Sequence, residues 1–177
     1  MGSILKTKNS HGHDIYVSSQ DLSWENAEAM IPYHDNRGYF LDLGDFKISH
    51  SFPGVARGLH FQYPTWQTKK IRVLSGSIYW FSVPLKNPDS FKWGIARAED
   101  TYDIPLGNAH GFVAVEPSLV IYKTDYPFIL EENRFVNFED FLKDKTIRLR
   151  LPQNLILSEK DMKAKPLAQV VASLGLP

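Results

Sequence analysis

The sequence predicts an all-β domain, and three features of the middle of the chain support this prediction. β-branched and aromatic residues occur in short runs, turn-forming residues separate these runs, and the spacing between them is regular. Many short strands at such spacing are typical of a β-sandwich or β-barrel. The predicted strands cover residues 39–43, 56–61, 70–74, 78–84, 111–115 and 119–124.

The connections between these strands are predicted to be short. Ser75-Gly76-Ser77 predicts a tight turn that joins strands 70–74 and 78–84. Helical signals are confined to the two ends of the chain. They predict a short helix capped by Ser23 and running to Met30, one turn from Asn137 or Phe138 to Lys143, and a helix opened by Pro166 that ends at Leu174.

Length and composition indicate one domain, covering residues 1–177. The chain has 177 residues, of which 43% are hydrophobic and 23% charged, and this is enough to bury one substantial core. Residues 1–10 are polar enough to be flexible. Twenty basic and twenty acidic residues give a net charge of zero, so bulk electrostatics favour neither nucleic acid nor a membrane surface as partner.

The absence of cysteine excludes disulfide bonds and thiolate catalysis. No apolar run approaches the roughly 18 residues that a membrane-spanning helix needs, and residues 1–9 lack the apolar core of a signal peptide. From these observations we expect a cytoplasmic location.

Two histidines in predicted strands are the main candidates for chemistry. His60 lies in Arg57-Gly58-Leu59-His60-Phe61-Gln62, and His110 follows fifty residues later. If Leu59 and Phe61 pack into an apolar layer, strand alternation directs His60 and Gln62 to the other side. Several further polar residues also fall in strand-like segments of the same domain, namely Arg57, Lys69, His110 and Tyr122. Burying all of these groups without a ligand would cost several kcal/mol. The pattern therefore predicts a binding site inside the barrel.

A metal centre is the natural alternative for histidines in a small barrel. The usual barrel pattern places two histidines two residues apart with a carboxylate nearby. Gln62 stands two residues after His60, and no acidic residue lies between His60 and Asp89. His11 and His13 have the right spacing but lie in a polar stretch that predicts a loop. The sequence therefore favours a site without a metal, and a metal-dependent barrel stays as the alternative.

The motifs of the chain resemble those of the dTDP-4-dehydrorhamnose 3,5-epimerases from about residue 35 to residue 165. The resemblance implies a cupin-like double-stranded β-helix, or jelly-roll barrel, with short peripheral helices. It also implies a cofactor-free homodimer that binds a nucleotide-sugar partly held by the partner subunit. The matching segments are Arg57 to Gln62, Lys69, Asn108 to Phe112, Tyr122 to Tyr126 and Leu157 to Asp161.

The reaction that this resemblance implies is epimerisation beside a C4 ketone, and the side chains suit it. Removing a proton next to a ketone needs a base, a partner for the enolate oxygen and an acid on the opposite face. His60 suits the base, and the resemblance implies that Asp161 pairs with it. Lys69, helped by His110 and Arg57, would hold the ketone oxygen. Tyr122 matches the family's tyrosine on the far side of the sugar.

Further residues match positions that the family uses for the nucleotide. Arg37 matches an arginine that contacts the diphosphate, and a guanidinium suits that anion. Phe40 and Asp42 fall where the family places an aromatic residue and usually a glutamate near the thymine. The remaining predicted substrate-binding residues are Ser49, Gln62, Tyr126 and Lys160.

Departures from the family pattern leave the exact substrate open. Asp45-Phe46-Lys47 replaces the common Gln-x-Asn, and Trp80 stands where an aspartate often faces the site. The first substrate to test is dTDP-4-dehydro-6-deoxyglucose. The alternatives are an epimerase of C3 only or C5 only, one that acts on another dTDP-linked or GDP-linked 4-keto sugar, and a nucleotide-sugar-binding barrel without turnover.

Overall fold

A computed structural model describes residues 4–8, 14–18, 32–43 and 46–175. In this part of the chain thirteen β-strands form three antiparallel sheets. The strands are β1 Ile4–Lys8, β2 Asp14–Ser18, β3 Tyr33–Asp35, β4 Gly38–Leu43, β5 Phe46–Ser51, β6 Ala56–Gln62, β7 Lys69–Ser75, β8 Ser77–Pro84, β9 Lys92–Arg97, β10 Thr101–Ile104, β11 Asn108–Ala114, β12 Ser118–Thr124 and β13 Asn133–Phe135.

Two large sheets face each other and enclose a barrel. The six-stranded sheet has the order β10-β7-β12-β5-β4-β3, and the five-stranded sheet has the order β13-β6-β11-β8-β9. Strands β1 and β2 pair only with each other within the described residues. The predicted all-β, cupin-like jelly roll with short peripheral helices is confirmed.

The tight turn predicted at residues 75–77 does not make a hairpin. β7 lies in the six-stranded sheet and β8 in the five-stranded sheet, so the chain crosses from one wall of the barrel to the other at Gly76. Gly76 has a φ of +78°, and a Cβ there would lie 2.3 Å from the carbonyl oxygen of Pro117. Only glycine fits this crossing without a shift of the backbone, because both the conformation and the space exclude a side chain.

The apolar core has two parts. One cluster lies between the two sheets and includes Val73, Ile78 and Val120. The second cluster includes Leu59, Phe61 and Phe138, so it joins the outer face of the five-stranded sheet to the C-terminal segment. Leu59 and Phe61 therefore pack into one apolar layer, as strand alternation predicts.

Short helices lie around the barrel, and two of the three predicted helices are confirmed. The helix Glu139–Leu142 matches the predicted turn, and Leu167–Ser173 follows Pro166 as predicted. The helix predicted from Ser23, together with His11 and His13, lies outside the described residues. No helix that the structure describes is long and apolar enough to cross a membrane. The other helices among the described residues are Lys145–Arg148, Glu159–Met162 and the 3-10 turns Pro88–Ser90 and Leu130–Glu132.

Candidate active site

A cavity of about 350 Å³ opens between the two sheets and contains most of the predicted site residues. Its walls come from the inward faces of both sheets and from the segment that carries the helix Glu159–Met162. The predicted residues that line it are Arg37, Phe40, Asp42, Ser49, Arg57, His60, Lys69, His110, Tyr122, Lys160 and Asp161.

A bulge in β6 places Arg57 and His60 on the same wall. His60 pairs with His110 and Arg57 pairs with Phe112, so three steps along β6 match two steps along β11. Strict alternation would direct residues 57 and 60 to opposite faces, whereas the extra residue brings both into the cavity. Gly58 allows this close approach, because a Cβ there would lie 2.5 Å from the carbonyl oxygen of His110.

The two histidines meet edge to face, with 4.6 Å between their ring centroids. Burial, together with the nearby charges of Lys69 and Arg57, lowers the pKa of His60 to about 3. Burial, together with Lys69 and His60, also holds the pKa of His110 well below its ordinary value. Both imidazoles are therefore neutral at neutral pH, and a neutral imidazole can accept a proton.

On the opposite wall, Lys69 and Tyr122 lie next to each other. The Lys69 ammonium is 5.1 Å from the centroid of the Tyr122 ring. Burial, with the charge of Lys47, lowers the pKa of Lys69 to about 8. Burial raises the pKa of Tyr122 well above its ordinary value, and the charge of Asp42 acts in the same direction. Tyr122 therefore keeps its proton at neutral pH and can donate it.

The expected pair between Asp161 and His60 is not made in this structure. Ser158 Oγ donates a hydrogen bond of 2.6 Å to Asp161 Oδ2, and the Asp161 amide donates to Ser158 Oγ at 3.1 Å. Arg37 Nη1 lies 3.9 Å from the same carboxylate oxygen. The capping box at the start of helix Glu159–Met162 thus occupies the carboxylate, and no hydrogen bond joins it to His60 among the described residues.

Some buried polar atoms around the cavity have hydrogen-bond partners and others have none. Arg57 donates to Ser51 Oγ at 2.8 Å and to the His50 carbonyl oxygen at 2.9 Å, so its guanidinium is fixed in place. Ser49 Oγ and His110 Nδ1 are buried and have no hydrogen-bond partner among the described residues. A buried polar atom without a partner is costly, and a polar ligand can supply the missing hydrogen bonds.

Gln62 and Tyr126 are the two predicted substrate-binding residues that do not line the cavity. Gln62 is buried, but its side chain accepts from the Ile129 amide at 3.0 Å and reaches Asn133 Oδ1 at 3.4 Å. It therefore fastens the chain after β12 to β6. Tyr126 is 57% exposed, and its carbonyl oxygen accepts hydrogen bonds from the side chains of Gln67 and Thr124.

Several lining residues were not predicted as site residues. Lys47 is the most prominent. It lies two residues before the predicted Ser49, and strand alternation places both on one face, so this spacing is the signal that could have indicated it. Trp80 does not line the cavity but stacks on Tyr102, which does, with 5.1 Å between centroids. The other unpredicted lining side chains include Gln67, Ile71, Phe112, Phe128, Asn133, Phe135 and Ser158.

The residues that the structure describes contain no group of three histidine, aspartate or glutamate side chains arranged to hold a metal ion. The side chains that the cavity does offer are suited to proton transfer and anion binding instead.

Comparison with known proteins identifies the family. The family model for dTDP-4-dehydrorhamnose 3,5-epimerase matches residues 34–169. This chain belongs to the dTDP-4-dehydrorhamnose 3,5-epimerase family. The matched range spans the whole cavity-lining part of the chain, and the match assigns the chain to the isomerases.

Individual members of the dTDP-4-dehydrorhamnose 3,5-epimerase family support the assignment. The chain is 33% identical over 159 residues to the enzyme of Methanothermobacter thermautotrophicus, covering 77% of this chain and 86% of the relative. It is 31% identical over 182 residues to that of Sinorhizobium fredii, covering 87% and 91%. The crystal structure of the Bacillus anthracis enzyme, with TDP and PPi bound, superimposes with a TM-score of 0.59 at 27% identity, covering 92% of this chain and 90% of that one.

Proposed function

We propose that this chain inverts C3, C5 or both in a nucleotide-activated 4-keto-6-deoxy sugar, without a metal or cofactor. The first substrate to test is dTDP-4-dehydro-6-deoxyglucose, which would give dTDP-4-dehydrorhamnose for deoxysugar biosynthesis. One observation carries the proposal. A neutral imidazole and a protonated phenol, those of His60 and Tyr122, line one cavity from two facing sheets.

In the proposed reaction, His60 accepts the proton from the carbon next to the ketone. The electrons of the broken C–H bond pass into an enolate, whose oxygen receives a hydrogen bond from the Lys69 ammonium. Tyr122 then donates its phenolic proton to the opposite face of the same carbon, which restores the ketone with inverted configuration. Arg57 lines the same cavity, where its guanidinium favours the enolate. For Asp161 to favour the imidazolium that forms on His60, its carboxylate has to turn from Ser158 toward the ring.

Solvent exchange tests this proposal directly. Incubation of dTDP-4-dehydro-6-deoxyglucose with the protein in heavy water should introduce deuterium at C3, at C5 or at both, as seen by proton NMR and mass spectrometry. The product configuration separates the double epimerase from the C3-only and C5-only alternatives. Binding without exchange would indicate the barrel without turnover, and no exchange with any 4-keto nucleotide-sugar would contradict the proposal.

We also infer from the family a homodimer in the cytoplasm. Light scattering coupled to size exclusion should give twice the mass of the 177-residue chain. A monomer at working concentration would contradict this inference.

A further inference from the structure

The segment of residues 125–129, which follows β12, carries part of the cavity wall. It forms no strand or helix, so neither strand pairing nor a helix fixes its position. Phe128 lines the cavity from this segment, and the residue is 44% exposed. Phe128 therefore lies at the boundary between the cavity and solvent.

Gln67 fastens this segment directly before Phe128. Its Nε2 donates a hydrogen bond of 2.9 Å to the Tyr126 carbonyl oxygen and one of 2.6 Å to the Pro127 carbonyl oxygen. Both hydrogen atoms of the amide group are thereby used, which fixes its orientation. The two carbonyl groups that Gln67 holds belong to the two residues immediately before Phe128 in the chain.

Gln67 itself lies on a well-anchored part of the chain. It is 6% exposed and stands two residues before Lys69, the first residue of β7. The preceding residue, Trp66, stacks on Phe61 with 5.8 Å between ring centroids, and Phe61 belongs to the second apolar cluster. The two hydrogen bonds from Gln67 therefore tie segment 125–129 to the core of the barrel.

Stability alone does not explain a glutamine at this position. Gln67 Oε1 is buried and has no hydrogen-bond partner among the described residues. A buried acceptor without a partner costs free energy of folding. The Tyr126 carbonyl oxygen also accepts from Thr124 Oγ1 at 2.7 Å, so it keeps a partner when Gln67 is replaced. The two bonds that Gln67 donates thus point to a role in holding the segment.

We propose that Gln67 is a positioning residue that holds segment 125–129 in place, so that Phe128 forms the wall of the substrate cavity before a ligand arrives. A wall that is already in place lowers the entropy cost of binding, because fewer groups have to be ordered. The effect on binding rests on the proposed function, whereas the effect on the segment does not. Gln67 also lines the cavity, so direct contact with the ligand is the alternative that the experiments must separate.

Limited proteolysis measures how firmly the segment is held, without any substrate. Chymotrypsin cleaves after accessible aromatic residues, and mass spectrometry identifies cleavage between Phe128 and Ile129 by the fragments 1–128 and 129–177. In Gln67→Met this cleavage should be about tenfold faster than in the wild type, since two hydrogen bonds that restrain the segment are lost. Gln169→Met is the matched control, because Gln169 is exposed on the helix Leu167–Ser173 and does not line the cavity.

Cleavage after Phe61 in the same samples separates local loosening from general unfolding. Phe61 is 3% exposed, so its rate of cleavage reports opening of the core and should stay at the wild-type level in Gln67→Met. An unchanged rate after Phe128, or equally faster cleavage after both residues, would overturn the proposal.

Calorimetric titration with dTDP tests whether Gln67 acts through Phe128. Gln67→Met should weaken dTDP binding by about tenfold, and Phe128→Ala by at least as much. The double variant should bind no more weakly than Phe128→Ala alone, because both changes remove the same wall. Losses that multiply in the double variant would overturn the positioning role, since Gln67 would then contact the ligand independently of Phe128.

Kinetics with dTDP-4-dehydro-6-deoxyglucose give a readout that a general structural role would not produce. In Gln67→Met the KM should rise while kcat stays close to that of the wild type, because His60 and Tyr122 are unchanged. A loss confined to kcat would contradict the proposal. If the wild type neither binds dTDP nor exchanges solvent deuterium, the proposed function fails, while faster cleavage after Phe128 in Gln67→Met still supports the role of Gln67 in holding the segment.

Discussion

His60 and His110 occupy directly paired positions on β6 and β11, and their rings contact edge to face. A charge on either imidazole would lie against the other ring and near the cations Lys69 and Arg57. This arrangement keeps both rings neutral, so His60 enters the reaction in its proton-accepting form.

Replacing His60 by asparagine should reduce deuterium exchange into the 4-keto sugar by about a hundredfold or more, since a general base contributes on that order. The side chain stays polar and of similar size, so dTDP should still bind. His34→Asn is the matched control, because His34 is exposed on β3 and does not line the cavity. Exchange at the control's rate in His60→Asn would rule out His60 as the base.

Tyr122→Phe should impair completed inversion more than the first proton removal. Phenylalanine keeps the ring against Lys69 but lacks the phenolic proton that returns to the sugar. The ratio of deuterium incorporated to product formed should therefore rise, measured by mass spectrometry and NMR on the same sample. Equal loss of both quantities would argue against Tyr122 as the acid.

Activity should decline as pH rises through about 8. Lys69 must carry a proton to stabilise the enolate oxygen, and burial with the charge of Lys47 lowers its pKa to about 8. The ammonium is thus present below this pH and lost above it. The initial rate of exchange, measured against pH, gives the titration. In Lys69→Arg the decline should move to higher pH, because a guanidinium stays protonated. An unchanged alkaline limb in that variant would contradict the assignment.

The free energy of unfolding should fall in acid partly because of His60. The pKa of His60 is 6.5 when the side chain is exposed, as in the unfolded chain, and about 3 in the folded protein. The unfolded chain therefore binds more protons than the folded one between these pH values. Stability from this group is complete above pH 6.5 and is lost as pH falls toward 3. Urea denaturation at several pH values should show a flatter acid dependence for His60→Asn than for the wild type. Identical slopes would contradict the buried, neutral state of His60.

Gly76→Ala should destabilise the protein by roughly 1–3 kcal/mol more than Gly107→Ala, because only the former adds an overpacked contact. Both glycines have nearly the same φ, +78° and +80°. A Cβ at residue 76 meets the Pro117 carbonyl oxygen at 2.3 Å, whereas nothing lies within 4 Å of one at residue 107. The difference in unfolding free energy between the two variants isolates the steric effect. Equal losses would show that the backbone conformation alone matters.

The strands rich in β-branched residues could be predicted from the sequence because their composition is distinctive. β8 and β12 are examples. β9 and β10, with the sequences KWGIAR and TYDI, were missed because they are short and polar at alternate positions. The pairing of strands was beyond the local signal, since whether a glycine turn makes a hairpin or a crossing depends on which distant strands fill the sheet.

For the site as well, the sequence could predict individual residues but not all of their contacts. Motif positions such as His60 and Tyr122 line the cavity, whereas Gln62 does not. Alternation predicts for Gln62 the face that His60 occupies. It could not show that Asn133 and Ile129 use the polar atoms of Gln62. Nor could it show that Ser158 engages the Asp161 carboxylate, since that contact arises from the cap of a helix of four residues.

The single-residue crossing at Gly76 also constrains how this enzyme can change. β7, which contributes Lys69 and Ile71 to the cavity, and β8 of the opposite sheet share one connecting residue, so the two sheets cannot be moved apart at Gly76 by lengthening a loop. New substrates must be accommodated by exchanging side chains within the barrel or by altering the segment after β12, where Phe128 lines the cavity. The closed end thereby preserves the spacing of the walls while the sequence of the pocket is free to diverge.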